Sequence, residues 1–256
     1  MKVMTISDSP TICTGMARVH RHVVDALAEA GHSVLPCGWF AYEAETLAKI
    51  KSGEKGPPVL YKSTVGEIRV LPVPKGNGMN CMYAAYDAID LFKPDVVVTL
   101  GDHWDFFYLQ TVKAKLGFSF KWLAWLNVEQ DEIEEKWLPL LRYADGIIVP
   151  SEFGRGVLAK AGFKAGLVPY GVEPTFRRLP EGRRAALREA RGCKDKIRII
   201  TVGQNTWRKN LPALLQGAAI VKRWDKQDRI RFYLHTNTEA YDPQESCLYD
   251  LRAVAR

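Results

Sequence analysis

The sequence lacks the segments that would mark a membrane or a secreted protein. It has no uninterrupted apolar run of about eighteen residues, the length that a transmembrane helix needs. Residues 1–7 lead directly into a strand pattern, without the charged and apolar regions of a signal peptide. It also has no internal repeat and no low-complexity tract. We therefore expect a globular protein of the cytoplasm.

Cysteine is sparse, with five residues among 256, and these lie at wide and irregular intervals. Such spacing suits neither a disulfide framework nor a structural zinc site. We interpret the five as small, partly buried apolar residues. They are Cys13, Cys37, Cys81, Cys193 and Cys247.

Charge is unevenly distributed along the chain. Residues 1–180 carry twenty Lys or Arg and twenty Asp or Glu, whereas residues 181–256 carry sixteen against nine. The whole net charge of +7 therefore lies in the last third, which favours an anionic partner there. Nucleic acid, an acidic membrane surface and a nucleotide diphosphate all fit this excess, as does a basic face that contacts only water.

Short β-rich runs alternate with segments of helical length, and several runs are apolar on successive residues. This pattern predicts an α/β fold with a parallel sheet that is covered on both faces. Helix ends are marked by Gly31, by Lys93 before Pro94, and by Ser151 with Gly162. The predicted strands of the first domain are KVMTIS, HSVLPCG, EIRVLPV, PDVVVTLG, FKWLAWLNV, GIIVPS and AGLVPYG.

The rhythm of strands and helices suggests two domains of unequal length. We predict a Rossmann-like domain at 1–175, then a charged linker at 176–196 in which a short helix fits. Strand, helix and strand follow in 197–256, as in the beginning of a second Rossmann-like domain. Two strands are too few for a doubly wound sheet of about six. The second domain is therefore predicted to be partial.

The turn TVGQNTWRKN, residues 201–210, joins an apolar strand to a helix-like run. Gly203 follows the strand, and Arg208 and Lys209 precede the helix. Cations at a helix start oppose the helix dipole unless an anion offsets them. This turn therefore predicts a phosphate-binding site, and a solvated helix start is the alternative.

Three segments in order resemble the retaining glycosyltransferases of the GT-B fold, in the large family that includes sucrose synthases and bacterial mannosyl- and glucosyltransferases. The segments are TGMARVHRHVVDALAEAGHSV, ADGIIVPSEFGRGVLAKAGFKAGLVPYGVEPTF and IITVGQNTWRKNLPALLQGAAIVKR. The resemblance implies two Rossmann-like domains facing a cleft. It also implies that the acceptor binds mainly to the first domain and a nucleotide-sugar to the second, with Glu173 ordering the crossover between them.

For the donor, the resemblance implies that Lys209 neutralises the departing diphosphate without a metal or another cofactor. Gly203 and Arg208 belong to the same turn. Gln204 stands where the family usually has arginine, so Arg208 substitutes for that cation or activation of the leaving group is weaker. In the first domain, Gly15 resembles the glycine of the loop that approaches the donor phosphate and the acceptor.

Polar residues at strand ends of the first domain are the predicted acceptor site. Two of them flank the first loop, and three lie in the sequence GDHWD, where the tryptophan offers a flat face to a sugar ring. They are Asp8, Arg18, Asp102, His103 and Trp104. Asp102 and Asp105 also have the spacing of a metal pair, but the resemblance argues against a metal. His20, His22 and His32 are interpreted as structural or solvated.

The catalytic position departs from the family. Many members have a histidine after the strand that is WLAWLNV here, whereas this chain has Asn127 and Glu129. Together with Lys209 these are the predicted catalytic residues. Glu129 could accept a hydrogen bond from the donor sugar or support positive charge at its anomeric carbon, and a surface carboxylate is the alternative.

The family's two later glutamates, eight residues apart, have no match, because Glu239 and Glu245 are six apart. Three functions stay open: a retaining glycosyltransferase or a fragment of one, a non-catalytic sugar- or partner-binding module, and a nucleic-acid-associated protein. The acceptor could be a carbohydrate, a lipid-linked group or a protein, and a homodimer or a peripheral membrane contact would fit. We expect the chain to dimerise or to have a mobile last third, and to turn over nucleotide-sugars slowly if at all.

Overall fold

The structure is a computed structural model that describes residues 1–42, 46, 56–75, 78–236, 238 and 249–254. By its internal contacts the chain divides into two compact units, Met1–Val172 and Glu173–Arg256. Each unit is described by itself. The boundaries at 175 and 196 that the sequence suggested stay a prediction.

The first unit alternates strands with helices, as the periodicity predicted. Its strands are β1 (Lys2–Asp8), β2 (Ser33–Trp39), β3 (Val59–Ser63), β4 (Gly66–Pro72), β5 (Val96–Asp102), β6 (Lys121–Asn127), β7 (Gly146–Val149) and β8 (Gly166–Leu167). Its helices are α1 (Gly15–Glu29), α2 (Met79–Phe92), α3 (Tyr108–Lys115), α4 (Leu138–Tyr143) and α5 (Glu152–Lys160). Short 3-10 turns cover His103–Phe106 and Glu135–Trp137.

These strands form one sheet in the order β3-β4-β2-β1-β5-β6-β7-β8. All pairs are parallel except that of β3 with β4, which is antiparallel. The sequence pattern had not predicted strand β3. Only Tyr61 of β3 is buried, so this edge strand lacks the continuous apolar run that marked the others. The predicted parallel α/β sheet is confirmed, with one antiparallel strand added at its edge.

The core of the first unit lies on both faces of the central strands. β1 is buried at six of its seven residues, and the largest fully buried side chains include Trp39, Trp122, Phe106 and Met4. Burial on successive residues is what a strand between two layers of helices requires. The carboxyl ends of the central strands are thereby fixed as one rigid edge.

The helix boundaries follow their local signals. Thr14 caps α1 by accepting a hydrogen bond from the Ala17 amide at 3.0 Å, and Ser151 caps α5 in the same way through Gly154 at 3.1 Å. Gly31 and Gly162 follow the two helices with φ of 79° and 84°, in the left-handed region that favours glycine.

The second unit contains α6 (Glu181–Ala190), β9 (Ile197–Val202), α7 (Leu211–Trp224), β10 (Ile230–His235) and α8 (Leu251–Val254). A 3-10 turn at Trp207–Lys209 precedes α7. β9 and β10 form a parallel pair from Ile197 opposite Ile230 to Val202 opposite His235. α6 lies within the segment that the sequence suggested as a linker. The predicted strand, helix and strand from 197 onward are confirmed.

Candidate functional site

Three predicted polar positions end neighbouring central strands of the first unit. Asp8 is the last residue of β1, Asp102 of β5 and Asn127 of β6. Asp102 and Asn127 are register partners, and β1 pairs directly with β5. The carboxyl edge of a parallel sheet is the usual ligand crevice of doubly wound folds. The fold therefore brings these residues together, as their positions after strands predicted.

The loop between β1 and α1 is held by Asp8 and His20. The Asp8 carboxylate accepts a hydrogen bond from the Thr14 hydroxyl at 2.5 Å, and the Asp8 carbonyl lies 2.8 Å from His20 Nδ1. His20 Nε2 lies 2.6 Å from the Thr5 hydroxyl. Burial lowers the pKa of His20 to about 4, so this histidine is neutral and structural, as predicted.

Gly15 and Arg18 lie on the first turns of α1, and both are exposed. A Cβ added at Gly15 would meet no protein atom within 4 Å, and its φ is not in the left-handed region. Packing within the chain therefore does not require glycine at this position. The open space above it is where a bound group could approach the backbone.

Two carboxylates near this edge, those of Asp102 and Asp105, have a raised pKa. Burial raises the pKa of Asp102, and the charges of Asp105 and Glu129 raise it further. Burial also raises the pKa of Asp105, with a smaller contribution from Asp8. A region that concentrates negative charge in this way favours hydrogen-bond donors, such as sugar hydroxyls, or cations.

Lys75 counters this charge, and the sequence reading did not single it out. Its ammonium lies 3.6 Å from Asp105 Oδ2 and lowers the pKa of both Asp105 and Asp102. It also lies 5.0 Å from the centroid of Trp39 and 5.9 Å from that of Phe40, within cation–π range. Lys75 stands in a glycine-containing loop that has no strand or helix period to mark it.

Phe40 has a backbone conformation that bulky residues rarely adopt. Its φ is 57° and its ring is exposed, while Trp39 beside it is buried and stacks on Phe106 at 5.4 Å. Left-handed geometry at an aromatic residue stores strain that the surrounding structure must hold, and such strain clusters at functional sites. The exposed Phe40 ring lies beside Lys75, at the edge where the carboxylates are.

Asn127 is already hydrogen-bonded within the first unit. Its amide oxygen accepts a hydrogen bond from the Tyr170 hydroxyl at 2.5 Å, and its amide nitrogen lies 3.7 Å from Met16 Sδ. Tyr170 also lies near Trp125, with ring centroids 5.6 Å apart. Sequence analysis assigned no role to Tyr170, because it lies 43 positions after Asn127 and no sequence pattern indicates their contact.

His103 is buried beside Trp104 and Trp137, whose rings meet it edge-on at 4.7 and 5.1 Å. Neither ring nitrogen has a hydrogen-bond partner among the described residues. Burial lowers the pKa of His103 to about 4, so the ring is neutral, and both of its nitrogens are buried from solvent. Trp104 follows it on the same 3-10 turn.

In the second unit, the turn after β9 holds the predicted phosphate residues. A Cβ placed on Gly203 would lie 4.0 Å from Lys209 Cγ, so the lysine side chain passes close to the glycine. Gln204, Arg208 and Lys209 are exposed. The two cations lie on the 3-10 turn and not on α7 itself, which begins two residues after Lys209.

Asn205 and Asn210 fix the shape of this turn. Asn205 is fully buried, and its side-chain amide donates to the Tyr249 carbonyl at 2.7 Å. Asn210 caps α7 in the left-handed region with φ of 44°, and no side chain caps the helix amides. In the first turn of α7, Pro212 has no amide hydrogen, and the amides of Ala213 and Leu214 donate to the Asn210 carbonyl at 3.1 and 3.4 Å. An anion at this turn would therefore be bound mainly by the side chains of Arg208 and Lys209.

Among the described residues, no group of three or more His, Cys, Asp or Glu could hold a metal ion. Within the same residues, no helix combines the length and apolar character needed to cross a bilayer. Glu239 and Glu245 lie outside the described residues, as does Cys247.

No family model and no curated protein sequence matches the chain. Among solved structures, it is similar to HepE from Anabaena in complex with UDP, with a TM-score of 0.58 and 11% identity over 92% of this chain and 69% of that one. A trehalose-6-phosphate synthase, studied for glycosyl transfer with retention, has a TM-score of 0.58 and 14% identity over 92% and 64%. UDP-GlcNAc 2-epimerase from Neisseria meningitidis, bound to UDP-GlcNAc, has a TM-score of 0.51 and 14% identity, over 100% of this chain and 68% of that one.

These structures have the GT-B fold, which confirms the predicted fold class. The chain spans about two thirds of the length of each. At such low identity the likeness shows the fold alone.

Proposed function

We propose that this chain acts in the transfer of a glycosyl group from a nucleotide-diphosphate sugar to a hydroxyl-bearing acceptor, with retention at the anomeric carbon. The observation that carries the proposal is the turn after β9. The Lys209 side chain passes close to Gly203, and the 3-10 turn before α7 carries two exposed cations, Arg208 and Lys209.

On the donor side, this turn would bind the diphosphate. In the reaction, the bond between the anomeric carbon and the phosphate oxygen breaks, and the nucleotide diphosphate leaves with that electron pair. Lys209 and Arg208 would stabilise the charge that develops on the leaving oxygen, with Gln204 donating a neutral hydrogen bond. This mechanism uses no metal, so we expect transfer to continue in the presence of a chelator.

On the acceptor side, the carboxyl edge of the first unit would position the attacking hydroxyl. The acceptor oxygen forms the new bond to the anomeric carbon, and its proton passes to the departing phosphate oxygen. Asp102 and Asp8 can accept hydrogen bonds from sugar hydroxyls, and Trp104 offers an aromatic ring that the buried His103 ring contacts edge-on. We assign Glu129 to the support of positive charge at the anomeric carbon and Asn127 to contact with the donor sugar.

Titration of the purified chain against UDP-, GDP- and ADP-sugars, with analysis of products, tests the proposal. Binding of one nucleotide class and formation of a glycoside with the donor's anomeric configuration would support it. A product of inverted anomeric configuration would exclude retention. Formation of an epimerised nucleotide-sugar without transfer would indicate an epimerase in place of a glycosyltransferase. Absence of nucleotide binding would overturn the proposal.

A non-catalytic binding module is the second candidate, and two observations favour it. Asn127 occupies the place of a family histidine and already accepts the Tyr170 hydroxyl, and Gln204 brings no charge to the phosphate turn. This candidate predicts acceptor or nucleotide binding without release of nucleotide diphosphate. The same titration therefore separates the two functions.

A further inference from the structure

The first residues of the second unit form a small open cleft with a basic lining. The cleft has a volume of about 400 Å³ and is lined by Pro174, Thr175, Arg177, Leu179 and Arg183. Both arginines are exposed, and neither side chain has a hydrogen bond or ion pair to another described residue. No carboxylate lines this arginine cleft.

Two neighbouring arginines differ from these because they have hydrogen-bond or ion-pair partners within the second unit. Arg184 lies 3.1 Å from the carboxylate of Glu181. Arg188 donates to the carbonyls of Lys194 and Lys196 at 3.0 and 2.6 Å, which ties the end of α6 to the start of β9. Arg184 and Arg188 therefore stabilise the local structure, whereas the side chains of Arg177 and Arg183 make no such contact with the described residues.

Two unpaired guanidinium groups on one concave surface repel each other unless an anion binds between them. The planar fork of arginine matches phosphate oxygens with two parallel hydrogen bonds. A phosphomonoester carries close to two negative charges at neutral pH, which suits two cations better than a carboxylate does. The volume lies within the range of small-molecule sites.

We propose that the arginine cleft binds a phosphomonoester group, with Arg177 and Arg183 as its cationic ligands and the Thr175 hydroxyl as a further donor. This inference is independent of the proposed function, because it uses none of the residues of the turn after β9. The group could belong to a soluble phosphorylated compound or to a lipid headgroup, and both present the same chemistry to the cleft.

The test measures binding of glucose 6-phosphate by calorimetry, with glucose as the ligand that lacks only the phosphate. A second arm measures sedimentation of the chain with phosphatidylcholine vesicles that do or do not contain phosphatidic acid. The variant is Arg177→Gln with Arg183→Gln. Its charge-matched control is Arg178→Gln with Arg191→Gln, which removes two exposed arginines of the same segment outside the cleft.

We expect binding in at least one arm, weakened by about tenfold or more in the cleft variant and by much less in the control. Binding should also weaken from about pH 7.5 to about pH 5.5, as the phosphomonoester regains its second proton. Affinity for UDP should be equal in the two double variants. Absence of binding in both arms, equal losses in the two variants, or a selective loss of UDP affinity in the cleft variant would overturn the proposal.

All four substituted side chains are exposed, and none has a described partner, so the variants are expected to fold. Arg177→Lys with Arg183→Lys supplies a second measurement, because it keeps both charges and removes the fork geometry. Its affinity should lie between those of the wild type and the glutamine variant. Affinity equal to that of the glutamine variant would also contradict the proposed role of charge.

Discussion

At the scale of single residues, His20 and His103 show how burial produces two kinds of neutral histidine. Both have a pKa lowered to about 4 by burial. His20 lies within hydrogen-bond distance of partners at both ring nitrogens, whereas His103 has none among the described residues. The first histidine therefore stabilises a loop through hydrogen bonds, whereas the second is held by aromatic contacts with Trp104 and Trp137.

Stability should depend on pH through His20. The folded pKa lies below the unfolded value near 6.5, so the unfolded chain binds a proton that the folded chain does not, and stability falls as the pH drops from about 6.5 towards about 4. Urea unfolding should show that His20→Asn reduces this slope by about 1.4 kcal/mol per pH unit between about pH 6 and pH 5. Parallel stability curves for the wild type and the variant would contradict this origin of the pH dependence.

Lys209→Ala should weaken binding of a nucleotide diphosphate by about 1 to 3 kcal/mol, the range for hydrogen bonds to charged groups. The side chain is exposed, so the fold should remain intact. Calorimetry with UDP, GDP and ADP measures the change. Lys226→Ala removes another exposed lysine of the second unit and serves as the control. Equal affinity in the parent and the Lys209 variant would remove this assignment.

Lys75→Gln should raise the pKa of Asp105 and Asp102 further. The substitution removes the cation whose charge lowers both pKa values against the effect of burial. Carbon NMR of the carboxyl groups over a pH titration measures both values. Lys75→Arg keeps the charge and should leave them near those of the wild type. Unchanged titration in the glutamine variant would show that the ion pair at 3.6 Å does not control these carboxylates.

At the scale of secondary-structure elements, sequence periodicity predicted the fold well because buried parallel strands require continuous apolar runs. β1, β5 and β6 follow this rule, whereas the half-exposed edge strand β3 does not and was missed. The strand ends were predictable for the same reason.

Contacts between side chains on distant segments were not predictable. Lys75 reaches Asp105 and Tyr170 reaches Asn127 only after the whole sheet has formed. Each of these contacts joins a loop to a strand end or to the turn after one, and loop residues have no period from which their direction can be read. The sequence therefore indicated where the candidate site lies, at the strand ends, but not all of the residues that meet there.

Two glycines provide a paired test of fold against ligand approach. A Cβ at Gly38 would lie 2.8 Å from the Ser9 backbone, so Gly38→Ala should destabilise the chain by about 1 to 3 kcal/mol. Gly15→Ala meets open space and should leave stability unchanged or slightly higher, but it should weaken nucleotide diphosphate binding if the α1 loop approaches the phosphate. Thermal unfolding and calorimetry measure the two effects. Unchanged nucleotide affinity in the Gly15 variant would exclude this loop from the donor site.

At the scale of the whole molecule, the second unit has a sheet face with three exposed apolar side chains. Ile230 and Phe232 of β10 line a groove together with side chains of α7, which places the helix on their face of the sheet. By alternation, the opposite face carries Ile200, Val202 and Tyr233, which are 62%, 71% and 39% exposed, and beside them Arg198, Arg231 and His235. Parallel sheets are normally covered on both faces, so this face favours association.

We therefore expect the chain to self-associate through the face that carries Ile200. Sedimentation velocity over a series of concentrations should show a dimer that Ile200→Lys shifts towards monomer, because the new charge would be buried in the interface. Leu91→Lys introduces the same charge at an apolar position of α2 that is 88% exposed, and it should leave the dimer intact. Since both variants gain one charge, a difference between them reports the location of the contact and not net repulsion. A wild-type monomer at every concentration, or equal dissociation by the two variants, would show that the Ile200 face does not hold two chains together.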